Sequence, residues 1–403
     1  MENIAIIHPM KTSKKYDVVI IGGGLVGASL AAALQHSGLS LALIEAGAAP
    51  ALNDSTLTDD WDSRIYAISP GSRCFLEQSG AWALLDHSRI APVEEMRVFG
   101  DTDSKLEFSA YQMGVPELAC ILENRLLQHA LWQVLQKQEN LDFLHPARCT
   151  ALTFSAEAAE LTLDDGRVLQ SNLIVGADGR NSWVRNQAGI SAAPVDYQHH
   201  GVVANFSCEL PHRGIAHQWF HPDGILALLP LPGNRVSMVW SVKPEKSAAL
   251  LALPHDELCS QVALAAHHRL GELKMITPAA AFPLRLLTLP SISANRVALI
   301  GDAAHNMHPL AGQGVNTGFR DAQQLAQLLL DRGGCTDCGD AQLLRRYDRK
   351  RREDIYTMQA TTYGLKNLFC NDDPLLRTLR NIGLNATNKI VPLKKLLMQH
   401  ALN

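Results

Sequence analysis

Three stretches of this 403-residue chain carry residue types whose spacing suits phosphate and hydroxyl chemistry. In VVIIGGGLVGASLAAALQHSGLSLALIEAG, residues 18–47, Gly22, Gly24 and Gly27 stand in G-x-G-x-x-G register. The first glycine permits a tight bend, the second a close backbone approach to a pyrophosphate, and the third close packing of the helix that follows. That helix aims its free N–H groups and positive dipole end at an anion. Glu45 ends the next apolar run, where a carboxylate can accept hydrogen bonds from ribose hydroxyls. In LIVGADGRNSWVR, another apolar run stops at Asp178-Gly179, and Ser182 and Arg185 follow. In RVALIGDAAHNMHPLAGQGVNTGFRDAQQLAQLLL, residues 297–300 lead into Gly301-Asp302, where a carboxylate can hold a hydroxylated linker. A Pro-Leu-Ala-Gly-Gln-Gly loop comes next, and exposed N–H groups there and at the helix start can stabilise negative charge on an electron-accepting ring. FAD has a ribityl linker and such a ring. NAD has no ribityl chain and needs no such site.

These groups require a scaffold that brings three turns together. Residues 18–21 and 173–175 are too short for a helical face but suit strands buried on both sides of a parallel sheet. Residues 28–34 read as a small-residue helix, and Ala322, Leu325, Ala326, Leu328 and Leu329 mark the buried side of another. Between residues 151 and 175, two strands are joined by Asp165-Gly166 before the chain returns to the sheet. Residues 201–242 change character: short β-rich runs are separated by Asp223-Gly224 and Gly233-Asn234, both hairpin signals. An antiparallel meander is expected there, with two further short strands in MRVFGDTDSKLEFSA. Trp219, Phe220, Ile225, Leu226, Leu228, Leu229 and Trp240 are candidates for a substrate wall, although alternation must send half of them into ordinary core.

Composition excludes several classes. At 47% hydrophobic and 19% charged the chain reads as globular, with room for two or three domains. No run approaches a membrane span and the first residues lack a signal-peptide core, so a cytoplasmic protein is expected. The net charge of −4 is unevenly spread: residues 345–403 carry twelve Lys/Arg against five Asp/Glu. No nucleic-acid motif accompanies that excess. Eight scattered cysteines read as reduced thiols, and the single C-x-x-C at Cys335 and Cys338 as an incidental loop pair. No H-E-x-x-H or paired C-x-x-C suggests a metal. His305, His308, His199 and His200 are candidates for acid/base work, each with a structural role as the plainer reading, so no catalytic residue is assigned.

In this order and at these separations, the three motifs resemble those of the class A flavoprotein monooxygenases, relatives of the para-hydroxybenzoate hydroxylase fold. DSRIYAISPGSRCFLEQSGAW, LENRLLQHALW, DYQHH and GDAAHNMHPLAGQGVN resemble more closely one branch, the ubiquinone-biosynthesis hydroxylases. The resemblance covers nearly the whole chain. It implies an α/β fold with a discontinuous Rossmann-like FAD-binding domain (14–75, 110–190, 288–335), an inserted antiparallel-sheet substrate domain (76–109, 191–287) and a helical C-terminal region (336–403).

It further implies that Gly22, Gly24, Gly27 and Glu45 bind the ADP half of FAD, that Arg64 approaches the pyrophosphate, and that Gly301-Asp302 meets the ribityl chain. Asp178 and Gly179 match an Asp-Gly motif used near the pyrophosphate and near the reducing nicotinamide. Pro309, Gly312, Gln313, Gly314 and Asn316 would line the isoalloxazine ring. Asn124 or Arg125 would contact flavin, with a solvated helix residue as the plain reading of Arg125.

The implied chemistry is NADPH- or NADH-driven hydroxylation of a polyprenylated phenol with O₂ in ubiquinone biosynthesis. Another aromatic or apolar substrate, or a flavin-bound non-catalytic subunit, stays open as an alternative. The W-x-W-x-I-P motif usual in the superfamily's halogenases is missing. Two basic amphipathic stretches within residues 375–402 suit peripheral contact with the inner face of a membrane or with a biosynthetic complex; packing on their own domain, or on a neighbouring subunit of a homo-oligomer, is the plainer reading.

Overall fold

Strand Lys14–Ile21 lies at the middle of a sheet because its last four residues are apolar on both faces and all are buried. In this computed structural model, which describes residues 14–48, 60–100, 104–307, 312–334 and 336–369, it pairs in parallel with Leu41–Ile44 on one side and Val168–Gly176 on the other. Leu141–Leu144 beyond the first and Val297–Leu299 beyond the second extend the parallel order. Helices Leu25–Ala33, Asn124–Gln136 and Gln313–Leu330 cover this sheet and share one large apolar core with it. The expected Rossmann-like layer is therefore present, and the ends of its strands place the three motif turns at one rim.

The second sheet runs Leu273–Met275, Val195–Cys208, Arg235–Val242, Gly224–Leu231, Ile215–His221, Glu95–Phe99, Lys105–Ser109, with Ala280–Leu286 also on Val195–Cys208. It is antiparallel except where Glu95–Phe99 joins Ile215–His221 in parallel. Its two faces have different neighbours. Trp219, Leu226, Leu228 and Trp240 pack with Leu250, Leu258 and Val262 of helices Pro244–Ala252 and His255–Ala265. Phe220 and Ile225 pack with Val98 and Leu106. Of the seven candidate wall residues, Leu229 alone packs with the cluster of Trp61, Ala67 and Ile121 on the nucleotide-domain side. The other six are core, because strand register assigns them to faces that helices or edge strands cover.

A small sheet of Ile65–Ile68, Ala119–Glu123 and Ala91–Val93 joins the two larger ones. The expected boundary at 75/76 falls inside helix Pro70–Gln78, and Trp82 and Leu85 beyond it belong to the nucleotide-side core. Leu343, Leu344, Tyr347 and Ile355 of helix Ala341–Phe369 join that same core. Among the described residues, six cysteines are free thiols, Cys338 among them. No described helix is long and apolar enough to cross a membrane. Cys335 and the amphipathic stretches at 375–402 lie outside the described residues.

Candidate cofactor site

Two glycines of the first turn are required by the chain itself. Gly22 has φ +110, and a Cβ there would stand 2.3 Å from the Ala177 carbonyl oxygen. At Gly27 a Cβ would stand 2.0 Å from the Gly22 oxygen. Gly24 is different: its backbone is ordinary extended chain, φ −68 and ψ −177, and no described residue comes within 4 Å of the position its Cβ would take. Neither conformation nor packing requires glycine there, which fits a site kept clear for something outside the chain. Helix Leu25–Ala33 begins at this point without a side-chain cap, leaving first-turn N–H groups to bind an anion. The turn is held from two sides. Glu45 Oε2 accepts from the Gly23 N–H at 2.7 Å, and Trp132 Nε1 donates to the Gly23 oxygen at 2.8 Å.

The third motif abuts the first through Val26. A Cβ on Gly301 would lie 3.2 Å from Val26 Cγ2, and one on Gly318 2.7 Å from the same atom. Asp302 follows at the strand end, exposed, and its carboxylate has no hydrogen-bond partner among the described residues. Burial, opposed by the neighbouring Arg64 and reinforced by Asp302, raises the Tyr66 phenol above its ordinary range. The Arg64 guanidinium lies 5.8 Å from the Tyr66 ring centroid. Arg64, Tyr66 and Asp302 thus share one neighbourhood, which brings together two of the expected site residues and adds a tyrosine.

Gly312 caps helix Gln313–Leu330 with φ +65, and a Cβ there would come within 2.9 Å of Ala67 Cβ. The Asn316 side chain is buried and spent inside the protein: Oδ1 accepts from Ser69 N at 3.0 Å, and Nδ2 donates to the Ala67 and Gly312 oxygens at 2.8 and 3.0 Å. Its amide therefore fastens the loop to strand Ile65–Ile68. Gly314, in the first turn of the helix, has no described residue within 4 Å of a built Cβ. Gln313 is buried. Pro309 and His308 lie outside the described residues.

Other expected residues have partners within the protein. The Asp178 carboxylate caps helix Trp183–Gln187, accepting from Ser182 Oγ at 2.5 Å and from Trp183 N and Val184 N at 2.7 and 3.0 Å. Gly179 supplies the left-handed turn beside it, φ +81. Arg185 then ties this motif to the third, donating to the Ala303 oxygen at 2.9 Å.

Arg125 is not a solvated helix residue. It binds Asp60 Oδ2 at 2.6 Å and the Asp60 carbonyl, and lies 3.2 Å from Glu123 Oε1. Glu123, fully buried, also pairs with Arg89 at 2.6 Å and accepts from Asp62 N at 2.7 Å. Asn124 N–H donates to the Arg64 oxygen at 2.8 Å. This cluster holds residues 60–64 and so orients Arg64. His305 is buried against Asp321 at 2.6 Å, and His199 Nδ1 sits 3.1 Å from Ser241 Oγ. Both are placed as structural groups. Among the described residues no cluster of His, Cys, Asp and Glu could hold a metal ion.

The fold and this seam of glycine turns, helix ends and a free carboxylate define a flavoprotein of the monooxygenase type. The chain belongs to the FAD binding domain family, whose model matches residues 15–361, and within it to the ubiquinone-biosynthesis hydroxylases. It is 37% identical over 392 residues to the ubiquinone hydroxylase UbiL of Rhodospirillum rubrum, covering 96% of this chain and 90% of that protein. It is 34% identical to the 3-demethoxyubiquinol 3-hydroxylase of Escherichia coli, covering 97% and 99%. Human mitochondrial ubiquinone biosynthesis monooxygenase COQ6 is 32% identical, covering 97% and 93%. In fold the chain matches PqsL of Pseudomonas aeruginosa, a probable FAD-dependent monooxygenase, with TM-score 0.77 at 23% identity over 93% of this chain and all of that one. The p-nitrophenol 4-monooxygenase PnpA of Pseudomonas putida gives TM-score 0.77 at 16% identity, covering 97% and 99%. FAD is the cofactor of this family, and the chain is an enzyme of the monooxygenase class.

Proposed function

We propose that the protein hydroxylates the ring of a polyprenylated phenol in ubiquinone biosynthesis, using O₂ and NADPH or NADH. The observation that carries the site reading is the convergence of the open Gly24 backbone, the uncapped helix start and the free Asp302 carboxylate around Val26. The relatives' hydroxylase names support the reaction.

When bound, FAD supplies the redox chemistry that activates O₂ and delivers one oxygen atom to the ring. Gly22 and Gly27 shape the turn, Gly24 admits the pyrophosphate, and the amides of helix Leu25–Ala33 take its charge. Glu45, though already accepting from Gly23 and Gly47 N–H, keeps lone pairs for ribose hydroxyls. Arg64 would meet the pyrophosphate, and Asp302 would accept from the ribityl hydroxyls. Gly314, with Gly312 and Gln313 beside it, would let the helix start approach the flavin ring. The apolar face around Leu229, Ala216 and Trp61 excludes water from the reacting ring. The basic stretches in 375–402 meet the membrane or a carrier that holds the prenyl tail.

Deleting the gene and identifying the accumulating prenylated intermediate by mass spectrometry tests the proposal. A precursor lacking one ring hydroxyl is the expected result. Unchanged quinone, with no such precursor, would overturn it.

A further inference from the structure

Asp321, on helix Gln313–Leu330, is fully buried. Its Oδ2 accepts from the Gly301 N–H at 2.9 Å and faces His305 Nε2 at 2.6 Å. Its Oδ1 accepts from Arg351 Nε at 2.6 Å. Arg351 arrives from a different element, helix Ala341–Phe369, and is itself buried. Its remaining nitrogens reach Asp354 Oδ2 at 2.6 Å and the Thr317 oxygen at 3.3 Å. Asp354 is also held by Arg320 at 2.9 Å. Burial works against ionisation of Asp321, but its neighbours His305 and Arg351 outweigh it and hold the carboxyl below its usual range.

This arrangement has a consequence for the third motif turn. Gly301 sits in the left-handed region with φ +58 and Val26 close to it, so the turn has little latitude of its own. Its amide is anchored by a carboxylate whose charge is supported by its protein partners. Without Arg351 the carboxylate loses the donor on Oδ1 and keeps only His305 and Gly301 on Oδ2; a buried carboxylate so depleted turns, protonates or draws in solvent, and each change weakens the bond to Gly301 N–H. The next residue along is Asp302.

We propose that Arg351 is a positioning residue for the cofactor turn: acting through Asp321 it fixes the Gly301 amide and thereby the direction of Asp302, making the C-terminal helix part of the cofactor site. The proposal rests on the reading that Asp302 meets the bound cofactor. Lysine at 351 restores charge but only as a point donor, and does not span Asp321, Asp354 and the Thr317 oxygen together as the planar guanidinium does.

The test is titration of the apoprotein with FAD, followed by quenching of flavin fluorescence, in wild type, Arg351→Gln, Arg351→Lys and Leu344→Ala. Leu344 is a buried core residue of the same helix whose side chain makes no hydrogen bond to Asp321, so its truncation reports loss of stability alone. Arg351→Gln is expected to weaken FAD binding by about ten-fold or more, within the range of coupling carried by packed polar networks. Arg351→Lys recovers part of that loss. Leu344→Ala lowers the thermal midpoint and keeps Kd within about two-fold.

A wild-type Kd in Arg351→Gln overturns the proposal. So does a Leu344→Ala variant that loses as much affinity as Arg351→Gln. Should Arg351→Gln fail to fold, Asp354→Asn loosens the guanidinium while leaving its contact with Asp321, and an unchanged Kd there is equally fatal. Failure of the wild-type protein to bind FAD at all would instead refute the reading of the site.

Discussion

Replacing Gly24 with valine separates cofactor binding from folding. The residue is in extended backbone with φ −68, and beyond its two chain neighbours no described residue lies within 4 Å of where its Cβ would stand. Valine is a poorer N-cap than glycine, which costs on the order of 1 kcal/mol, and reduced freedom of the unfolded chain offsets about 0.4–1 kcal/mol of that. Apoprotein stability should therefore change by less than about 1 kcal/mol. The branched side chain then fills the space the pyrophosphate must enter. Losing two charge-assisted hydrogen bonds at roughly 1.5 kcal/mol each amounts to about 3 kcal/mol, or more than 100-fold in Kd. Gly27→Ala is the contrast: its methyl would meet the Gly22 oxygen at 2.0 Å, so that variant loses stability as well as affinity. Urea unfolding of the apoproteins and FAD titration measure the two quantities separately. Wild-type affinity in Gly24→Val, or a Gly24→Val apoprotein as destabilised as Gly27→Ala, would refute the role given to this glycine.

Asp302→Ala should leave apoprotein stability within about 0.5 kcal/mol, since the side chain is exposed, while weakening FAD retention by roughly 1.5–3 kcal/mol; equilibrium dialysis of both forms checks it. His217, its ring 6.2 Å from that of Phe99 and 5.5 Å from that of Trp219, is pushed down from 6.5 to about 4, by burial first and then by neighbouring Arg97, Arg269 and His212, with the Ile215 backbone working the other way. Its folded value lies below its unfolded one, so its contribution is complete above pH 6.5 and is lost as pH falls toward about 4. At about 1.4 kcal/mol per pH unit that is on the order of 3 kcal/mol; denaturant midpoints across this window should flatten in His217→Phe, and an unaltered slope would contradict the assignment. Reversing Lys394 and Lys395 to Glu should preserve FAD content yet lower quinone production and salt-sensitive liposome association. Normal quinone with association indifferent to salt would discard the membrane role.

The glycine register, Glu45 and Gly301-Asp302 were legible because their requirements are local: a strand end, a bend and a helix start are contiguous in the chain. Gly22 carries its reason in the Ala177 carbonyl of the neighbouring strand's end, and Gly27 in the Gly22 oxygen five residues back. Asp178 and Asn316 stand on the motif turns, yet their side chains are spent inside the protein; whether a polar group caps its own helix or faces a ligand depends on which atoms fold back to it. Tyr66, Trp132 and Arg351 are unread because each stands in another segment, and Asp321 because its carboxylate folds back twenty residues within its own motif. Trp132 reaches Gly23 across 109 residues, and Arg351 reaches Asp321 from the next helix. The wall residues failed for a related reason. Alternation shows that two faces exist, but register and the covering helices decide which face is core.

Isotopic labelling decides whether the protein puts oxygen on a ring. Purified protein reconstituted with FAD is given a polyprenylated phenol, NADPH or NADH, and ¹⁸O₂, and the product is examined by mass spectrometry. The expected product is a ring-hydroxylated prenylphenol carrying one labelled oxygen, formed only when protein, FAD and reduced donor are all present. Oxidation of the donor that yields peroxide alone, or a hydroxyl drawn from water, would contradict the proposed hydroxylation.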